Sequence, residues 1–321
     1  MIDTFRGPID AGDLGVTLMH EHVFVLSPEI QLNWPTNWDA DGAVADAVTK
    51  LRELFDAGVR TIVDLTVVGL GRDIALVGRV ADQVDINIVA ATGLYTYDSL
   101  PHFFDYRGPR FRGGVDQLED FFLHDIENGI AGTGVIPGIL KCATDKQGVT
   151  PDVERVLRSV AKVHRRTGIP ISTHTDAHTE RGLEQQQIFE SEGVDLSRVV
   201  IGHSGDSTDI GYLEKLLRAG STLGMDRFGV DVYCSTEDRI DTVVTLCERG
   251  WANQLVLSHD AACHMDWFDP ELLEKGAPRW NYLHISRDIL PALRERGVSE
   301  DHIEAMLVEA PRRILDHGPP Y

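Results

Sequence analysis

Residues 151–174 read PDVERVLRSVAKVHRRTGIPISTH, a helix pattern followed directly by a strand pattern. The apolar residues of the first part recur at the spacing of one helix face: Val153, Val156, Leu157 and Val160. Gly168 then supplies a residue suited to ending a helix. The run 169–174 is apolar up to its polar end, as is typical of a strand buried on both faces of a parallel sheet. The stretch therefore predicts one helix–strand unit of an α/β protein.

The same alternation repeats along the whole chain of 321 residues. Eight apolar runs predict strands: 15–25, 60–68, 86–95, 135–143, 169–174, 198–203, 221–225 and 254–258. Helix patterns cover 41–57, 151–167, 208–219 and 238–249. Because eight parallel strand–helix units close naturally into a barrel, we predict a single-domain (β/α)8 TIM barrel over residues 1–321. An open doubly wound sheet is the alternative, since the strand count carries an error of about one.

Composition and charge narrow the classes of function. Fifty-one acidic residues against 30 Lys and Arg give a net charge of −21. Nucleic acids and anionic membranes attract clustered basic residues, so we expect neither as a partner. The four cysteines form no C-x-x-C pair, and the N-terminal residues lack the basic and apolar regions of a signal peptide. These features predict a cytoplasmic protein that acts on a small neutral molecule.

Five predicted strands end in residues that bind metals or carry charge. The stretches are LMHEHVFV, GILKCATD, ISTHTDA, VIGHSGD and VLSHDAAC. His20 and His22 are two residues apart on a strand and share one face, while His174, His203 and Asp260 follow later strands. A lone histidine at any of these places is more often a hydrogen-bonded structural residue. Because strand ends of a barrel meet at one rim, their coincidence favours a metal site.

Lys141 lies within the apolar segment VIPGILKCA. Burial lowers the pKa of a lysine by up to about 3–5 units, which favours the neutral amine. A neutral amine reacts with carbon dioxide to give a carbamate, whose two oxygens could bridge two divalent cations. The alternative is an ammonium group that reaches the rim and pairs with Asp145. Reasoning from the residues alone leaves both interpretations open.

Taken in order, LMHEH, GILK, THTDA, GHSGD and SHD resemble the phosphotriesterase family of the binuclear amidohydrolase superfamily, and most closely its phosphotriesterase-like lactonases. The likeness extends from GVTLMHEH to the WNYLHI stretch at 280–285. The resemblance implies a (β/α)8 barrel, a homodimer and two divalent metal ions per chain, with zinc first and cobalt, manganese or iron as alternatives.

The resemblance also implies a ligand set, position by position. His20, His22 and Asp260 would bind the more buried ion, and His174 and His203 the more exposed one. Lys141, as N6-carboxylysine, would bridge both ions together with a hydroxide. The neighbouring residues Glu21, Cys142 and His259 would have no ligand role.

Two further positions resemble the lactonase branch, in which a tyrosine and an arginine contact the lactone. They are Tyr95, which ends the third strand, and Arg227, which ends the seventh. The alternatives are rim packing for Tyr95 and, for Arg227, an ion pair with Asp226 or another rim acid. The short segment 228–235 also favours a lactonase. The apolar segment 261–283, which contains Trp267, predicts a lid for an acyl chain, or else packing against the barrel or a second subunit.

We therefore predict a metal-dependent hydrolase that opens lactone rings, foremost N-acyl-homoserine lactones, in quorum quenching. A metal-bridging hydroxide would attack the carbonyl, and Asp260 would pass the proton to the leaving alkoxide. Tyr95 would donate to the developing oxyanion, while Arg227 and Trp267 would bind the substrate. Promiscuous phosphotriesterase (paraoxonase) activity is expected. The alternatives are a dedicated phosphotriesterase or aryl-ester hydrolase, and a non-catalytic ligand-binding barrel.

Overall fold

A computed structural model describes residues 1–114 and 116–321 and contains a curled sheet of parallel strands. A short antiparallel hairpin, β1 (Ile2–Thr4) and β2 (Gly7–Ile9), precedes the sheet. The nine strands of the sheet are β3 (Thr17–Val25), β4 (Thr61–Asp64), β5 (Asn87–Gly93), β6 (Ile139–Ala143), β7 (Ile171–His174), β8 (Val199–Ile201), β9 (Thr222–Met225), β10 (Leu255–Leu257) and β11 (Ala262–Met265). Their order is β10-β9-β8-β7-β6-β5-β4-β3-β11.

The barrel closes between β10 and β3, where the eighth strand of the barrel is interrupted. β11 resumes the direction of β10 after residues 258–261 and pairs in parallel with β3. Within the interruption, the backbone N–H of His20 donates to Ser258 Oγ at 2.9 Å. The N–H of Asp260 donates to the carbonyl of His20 at 3.1 Å, and the N–H of His22 donates to the carbonyl of Ala261 at 2.9 Å. The predicted TIM barrel is confirmed, with its eighth strand split into two pieces.

Helices surround the sheet and connect its strands. They are α1 (Pro28–Asn33), α2 (Ala40–Asp56), α3 (Ile74–Ala81), α4 (His102–Asp105), α5 (Gln117–Asn128), α6 (Pro151–Thr167), α7 (Arg181–Ser191), α8 (Ile210–Arg218), α9 (Thr236–Glu248), α10 (Pro270–Gly276), α11 (Leu290–Glu295), α12 (Glu300–Glu304) and α13 (Ala310–Leu315), with π-helical turns at Ile285–Ile289 and Ala305–Glu309. In α6 the side chain of Thr150 accepts the N–H of Val153, and Gly168 ends the helix at a φ of 78°. The helix predicted at 151–167 is confirmed at both ends.

Buried side chains alternate between two apolar layers along the strands. Ile62 packs into the layer between strands and helices, while its neighbour Val63 packs into the barrel interior. Ile88 and Val89 repeat the arrangement one strand further on. Both faces of the sheet are therefore apolar, which explains the continuous hydrophobicity of the strands. Toward the carboxyl ends of the strands, polar side chains replace the apolar ones inside the barrel.

Candidate active site

One cavity at the carboxyl ends of the strands contains every side chain predicted from the sequence to act in the site. The cavity has about 680 Å³ of empty space, part of which is open solvent. Its lining includes His20, His22, Tyr95, Lys141, His174, His203, Arg227, Asp260 and Trp267. Seven parallel strands of the barrel and their following loops thus deliver side chains to one point, because the carboxyl ends of barrel strands meet at one rim.

His20, His22 and Asp260 form a group that could hold a metal ion. The Nε2 atoms of His20 and His22 lie 3.3 and 3.0 Å from Asp260 Oδ1. One ligand atom from each of the three residues lies within 4.8 Å of the other two. His203 is adjacent, since its ring stacks on that of His20 with centroids 4.7 Å apart. His174 meets His203 edge-on at 4.5 Å between ring centroids.

Buried acceptors orient the imidazole rings of β3 and β8. Both oxygens of the buried Asp226 carboxylate are used, since His20 Nδ1 and His203 Nδ1 each donate to it at 2.9 Å. His22 Nδ1 lies 2.8 Å from Thr66 Oγ1. With their Nδ1 atoms engaged in this way, the three rings turn their Nε2 atoms toward the cavity as acceptors. A set of ligand atoms of this kind suits a divalent cation.

Asp226 is a residue that sequence reasoning missed as part of the site. It was considered there as a partner for Arg227, but the structure pairs it with His20 and His203 instead. Its position directly after β9 is the signal that could have identified it, because the carboxyl end of every barrel strand faces the same cavity.

Protonation states in the cluster also suit cation binding. Burial lowers the pKa of His174 to about 4 and lowers the pKa of His20 and His203. These imidazoles are therefore neutral near pH 7, the form that binds metals. Burial alone would raise the pKa of Asp260, but the histidines and the Arg227 guanidinium around it hold that pKa well below its usual range. Asp260 is accordingly an anion.

Lys141 is buried inside the cluster rather than at the rim. Its Nζ lies 3.1 Å from His20 Nε2 and donates to the carbonyl of Thr173 at 3.3 Å. Burial lowers its pKa to about 8, so about a tenth of the amine is neutral at pH 7, far more than for an exposed lysine. The alternative ion pair with Asp145 does not form, because Asp145 Oδ2 instead lies 3.3 Å from His174 Nε2.

Arg227 spans the mouth of the cluster through two carboxylates. Its Nε donates to Asp260 Oδ2 at 3.0 Å, and its Nη1 donates to Asp206 Oδ2 at 3.0 Å. Arg227 therefore forms no ion pair with Asp226, but it pairs with two other acids at the rim. Behind Asp206 lies Arg239, a fully buried arginine of α9 that donates to the other Asp206 oxygen. Sequence reasoning assigned no role to Asp206, although it is the last residue of GHSGD, or to Arg239, which lies in none of the quoted motifs.

Two phenols stand beside His174. The hydroxyls of Tyr95 and Tyr97 are hydrogen-bonded, and their rings lie 5.4 and 5.1 Å from the ring of His174. Burial raises the pKa of Tyr95 well above its ordinary value, and burial raises that of Tyr97 to about 12. Both hydroxyls therefore keep their protons and can donate. Tyr97 was not singled out from the sequence, although the Y-T-Y spacing places both phenols on one side of the segment.

An apolar wall from the segment 261–283 covers one side of the cavity. Its base is fixed, because Trp280 Nε1 donates to the carbonyls of His259 and Asp260 at 2.9 and 3.1 Å. Its tip projects into solvent, with Trp267 45% and Phe268 50% exposed. The exposed tip argues against packing onto the barrel, and it fits either a lid or a contact with a second subunit.

The chain matches known proteins over nearly its full length. The model of the phosphotriesterase family matches residues 1–315. A phosphotriesterase homology protein of Mycobacterium tuberculosis is 58% identical over 98% of this chain and 97% of its own length. The aryldialkylphosphatase of Saccharolobus solfataricus is 40% identical over 97% of this chain and 98% of that protein. The solved structure of the phosphotriesterase from Mycobacterium tuberculosis, 57% identical, has a TM-score of 0.98 and covers 100% of this chain and 99% of that one.

Proposed function

This chain belongs to the phosphotriesterase family and is a metal-dependent hydrolase that acts on ester bonds, and we propose that its substrates are lactones, foremost N-acyl-homoserine lactones. The observation that carries the proposal is the pair of protonated phenols, Tyr95 and Tyr97, between the histidine cluster and an apolar wall. A hydrogen-bond donor is needed where the flat carbonyl of an ester becomes a tetrahedral oxyanion. The acyl tail of such a substrate needs an apolar surface to bind against.

We propose two divalent cations per chain, with zinc first and cobalt, manganese or iron as alternatives. His20, His22 and Asp260 would hold one ion, and His174 and His203 the other. The imidazoles and the one carboxylate fit this assignment, and the Nε2 atoms of His20, His22 and His203 face the cavity. When bound, such ions lower the pKa of a coordinated water and polarise a substrate oxygen.

Lys141 would bridge the two ions as N6-carboxylysine. Its neutral amine would attack carbon dioxide, forming an N–C bond and releasing a proton. The product is an anion with two oxygens, which replaces a cationic side chain among cation ligands. The position of Nζ, 3.1 Å from His20 Nε2, supports this assignment because an ammonium group there would repel metal ions.

The protein's own side chains would then transfer the proton, stabilise the oxyanion and bind the substrate. Asp260 is ionised and lies beside the ligand cluster, so it can accept a proton from the attacking water and pass it to the leaving alkoxide. Tyr95 would donate to the carbonyl oxygen as negative charge builds there. Arg227 holds Asp260 Oδ2 and forms the rim against which the lactone ring would rest. Trp267 would contact the acyl chain.

The second candidate is a dedicated phosphotriesterase or aryl-ester hydrolase. One relative favours it, since the 40% identical protein of Saccharolobus solfataricus is an aryldialkylphosphatase. A neutral triester fits the same cavity, and its tetrahedral phosphorus resembles the transition state of lactone opening. We therefore expect some turnover of phosphotriesters. The non-catalytic barrel considered from the sequence is not retained, because the chain is a hydrolase of this family.

We also propose a cytoplasmic homodimer. The four cysteines are free thiols, which suits a reducing compartment. Among the described residues, none of the helices has the length and apolar character needed to cross a bilayer. Exposed apolar side chains on α1 and the following residues would be covered by a second copy: Ile30, Leu32 and Trp34. Light scattering of the purified protein measures the mass directly.

The deciding experiment compares kcat/KM for an acyl-homoserine lactone and an aryl dialkyl phosphate on Tyr95→Phe with confirmed metal content. Removing one oxyanion donor costs about 10²–10³ in kcat, so lactone turnover should fall by about that factor. Phosphotriester turnover should change much less, because the phosphorus is already tetrahedral. Tyr212→Phe is the matched control, since this buried tyrosine lies outside the cavity and its hydroxyl has no partner among the described residues. Equal losses on both substrates would refute the lactonase proposal.

A further inference from the structure

Asp260 adopts a backbone conformation that non-glycine residues rarely take. Its φ is 55°, in the left-handed region, where a β-carbon is crowded by the backbone. His203 is in the same region, at 59°. Both residues are proposed metal ligands, and both lie within three residues of the end of a short barrel strand. Such conformations persist only where the surroundings hold them in place, so the groups that hold these two residues are of functional interest.

At His203 the holding group is the carboxylate of Asp226. One oxygen of Asp226 accepts both the backbone N–H of His203, at 2.8 Å, and its ring Nδ1–H, at 2.9 Å. The other oxygen accepts from His20 Nδ1. A single buried carboxylate thus fixes the left-handed backbone and the orientation of two rings.

Glu21 makes the corresponding contacts around Asp260. Its side chain is fully buried and lies between the two histidines of H-E-H, outside the ligand cluster. Oε1 accepts the backbone N–H of His259 at 2.9 Å and the ring Nδ1–H of His259 at 2.8 Å. Oε2 accepts the backbone N–H of Ala261 at 3.0 Å. The N–H groups on both sides of Asp260 are therefore held by one carboxylate, while the N–H of Asp260 itself donates to His20.

The tautomer of His259 is set by a further contact. Its Nε2 accepts the backbone N–H of Ile285 at 2.9 Å, so Nε2 carries no proton. Nδ1 must then carry the proton that is donated to Glu21. The three N–H groups around the Glu21 carboxylate can therefore act only as hydrogen-bond donors to it. A neutral carboxamide could not satisfy them, because its NH2 group would face an N–H in either orientation.

We propose that Glu21 is a positioning residue that holds Asp260 in its left-handed conformation and thereby sets the affinity of the His20–His22–Asp260 site for its cation. The inference rests on the proposed metal centre, but not on the identity of the substrate. Glu21 does not line the cavity and is not one of the residues grouped as potential metal ligands. It acts through the two peptide groups that flank Asp260.

The test is metal binding by Glu21→Gln. Apoprotein is titrated with Co²⁺, and the two equivalents are separated by calorimetry and by the visible absorption of the bound ion. Supporting groups of metal ligands typically contribute about 10–100-fold to metal affinity, so we expect one of the two Co²⁺ affinities to fall by that factor and the other to change little. Asp125→Asn is the matched control. It removes a buried carboxylate whose partners, Thr92 and Arg72, are not proposed ligands, and it should leave both affinities unchanged.

Glu21→Asp covers the case in which Glu21→Gln does not fold. Aspartate keeps the charge and both acceptor oxygens but is one methylene group shorter, so an intermediate loss of affinity at the same site is expected. If Glu21→Gln folds and binds both Co²⁺ ions with wild-type affinity, the proposal is overturned. If Glu21→Gln does not fold, the same result for a folded Glu21→Asp overturns it. Equal losses at both sites would overturn it as well. A wild-type protein that binds two Co²⁺ ions but hydrolyses no lactone would refute the proposed function and leave this inference standing.

Discussion

Replacing Arg239 by methionine tests whether the ion pairs behind the cavity contribute to stability and to substrate binding. Arg239 is fully buried in α9 and donates to Asp206, whose other oxygen accepts from Arg227. Its Nη1 also donates to the carbonyls of Val230 and Cys234, at 3.2 and 2.6 Å, in the loop after β9. Methionine keeps much of the length and volume of the side chain but removes its charge and all of its donors.

The expected loss of stability depends on which buried groups lose their partner when Arg239 is replaced. Removing one partner of a buried ion pair costs about 3–5 kcal/mol, because the remaining charge is uncompensated. Asp206 keeps its contact with Arg227, so the lower end of that range applies to the ion pair. The two hydrogen bonds to carbonyls add about 1 kcal/mol each. We therefore expect the free energy of unfolding to fall by about 3–5 kcal/mol.

The assay is urea unfolding followed by circular dichroism at pH 7 and a fixed metal concentration, because bound metal adds to apparent stability. Arg249→Met is the control, since Arg249 is half exposed at the end of the same helix and its contact with Glu214 is at the surface. Its midpoint should not move. In kinetics, Arg239→Met should raise KM for a lactone more than it lowers kcat, because the contact from Arg227 to Asp260 remains. An unchanged midpoint together with an unchanged KM would refute the reasoning.

Three further outcomes are expected. Lys141→Ala should lose at least one metal equivalent and fall to background turnover with an unchanged circular dichroism spectrum; two bound equivalents and a wild-type rate would contradict the carbamate. His22→Ala should empty the more buried metal position and His203→Ala the more exposed one, as anomalous diffraction can assign; identical losses in both variants would show that the sites are not independent. Burial lowers the pKa of His164 below its ordinary 6.5, so its contribution to stability is complete above pH 6.5 and is lost as the pH falls toward the folded pKa. His164→Asn should therefore lose less stability than the wild type between pH 7 and 5 in urea titrations, and parallel losses would contradict this assignment.

The fold could be predicted because its strands are apolar on both faces and its main helices are amphipathic. The apolar pattern does not reveal an element whose buried side chains are polar or that is only a few residues long. α7 is not predicted by apolar spacing, since its buried face includes Gln185 and Gln186. The hairpin β1–β2 consists of strands of three residues each, too short for any periodicity. The division of the eighth strand into β10 and β11 is also invisible in the sequence, because it depends on the left-handed conformation of Asp260.

The residues that line the cavity could be predicted for a related reason. Histidine and lysine are uncommon at the ends of buried strands, so His174 in THTDA and Lys141 in GILK stand out against their neighbours. The orientation of these side chains could not be predicted. The contact of Asp145 with His174, rather than with Lys141, depends on where the loop after β6 runs. Arg227 likewise pairs with carboxylates from two different strand ends, which no local pattern indicates.

The residues that were missed are mostly acids, and the reason is physical. The chain has 51 Asp and Glu residues, most of them at the surface, and a buried acid looks the same in sequence. What distinguishes Asp226, Asp206 and Glu21 is that each is buried with its oxygens facing donors from other elements. Asp260 is held from two sides by such contacts: by Arg227 and by the peptide groups that Glu21 fixes. Because these contacts come from different parts of the barrel, removing one of them should lower metal affinity or turnover in part, whereas removing Asp260 itself should abolish both.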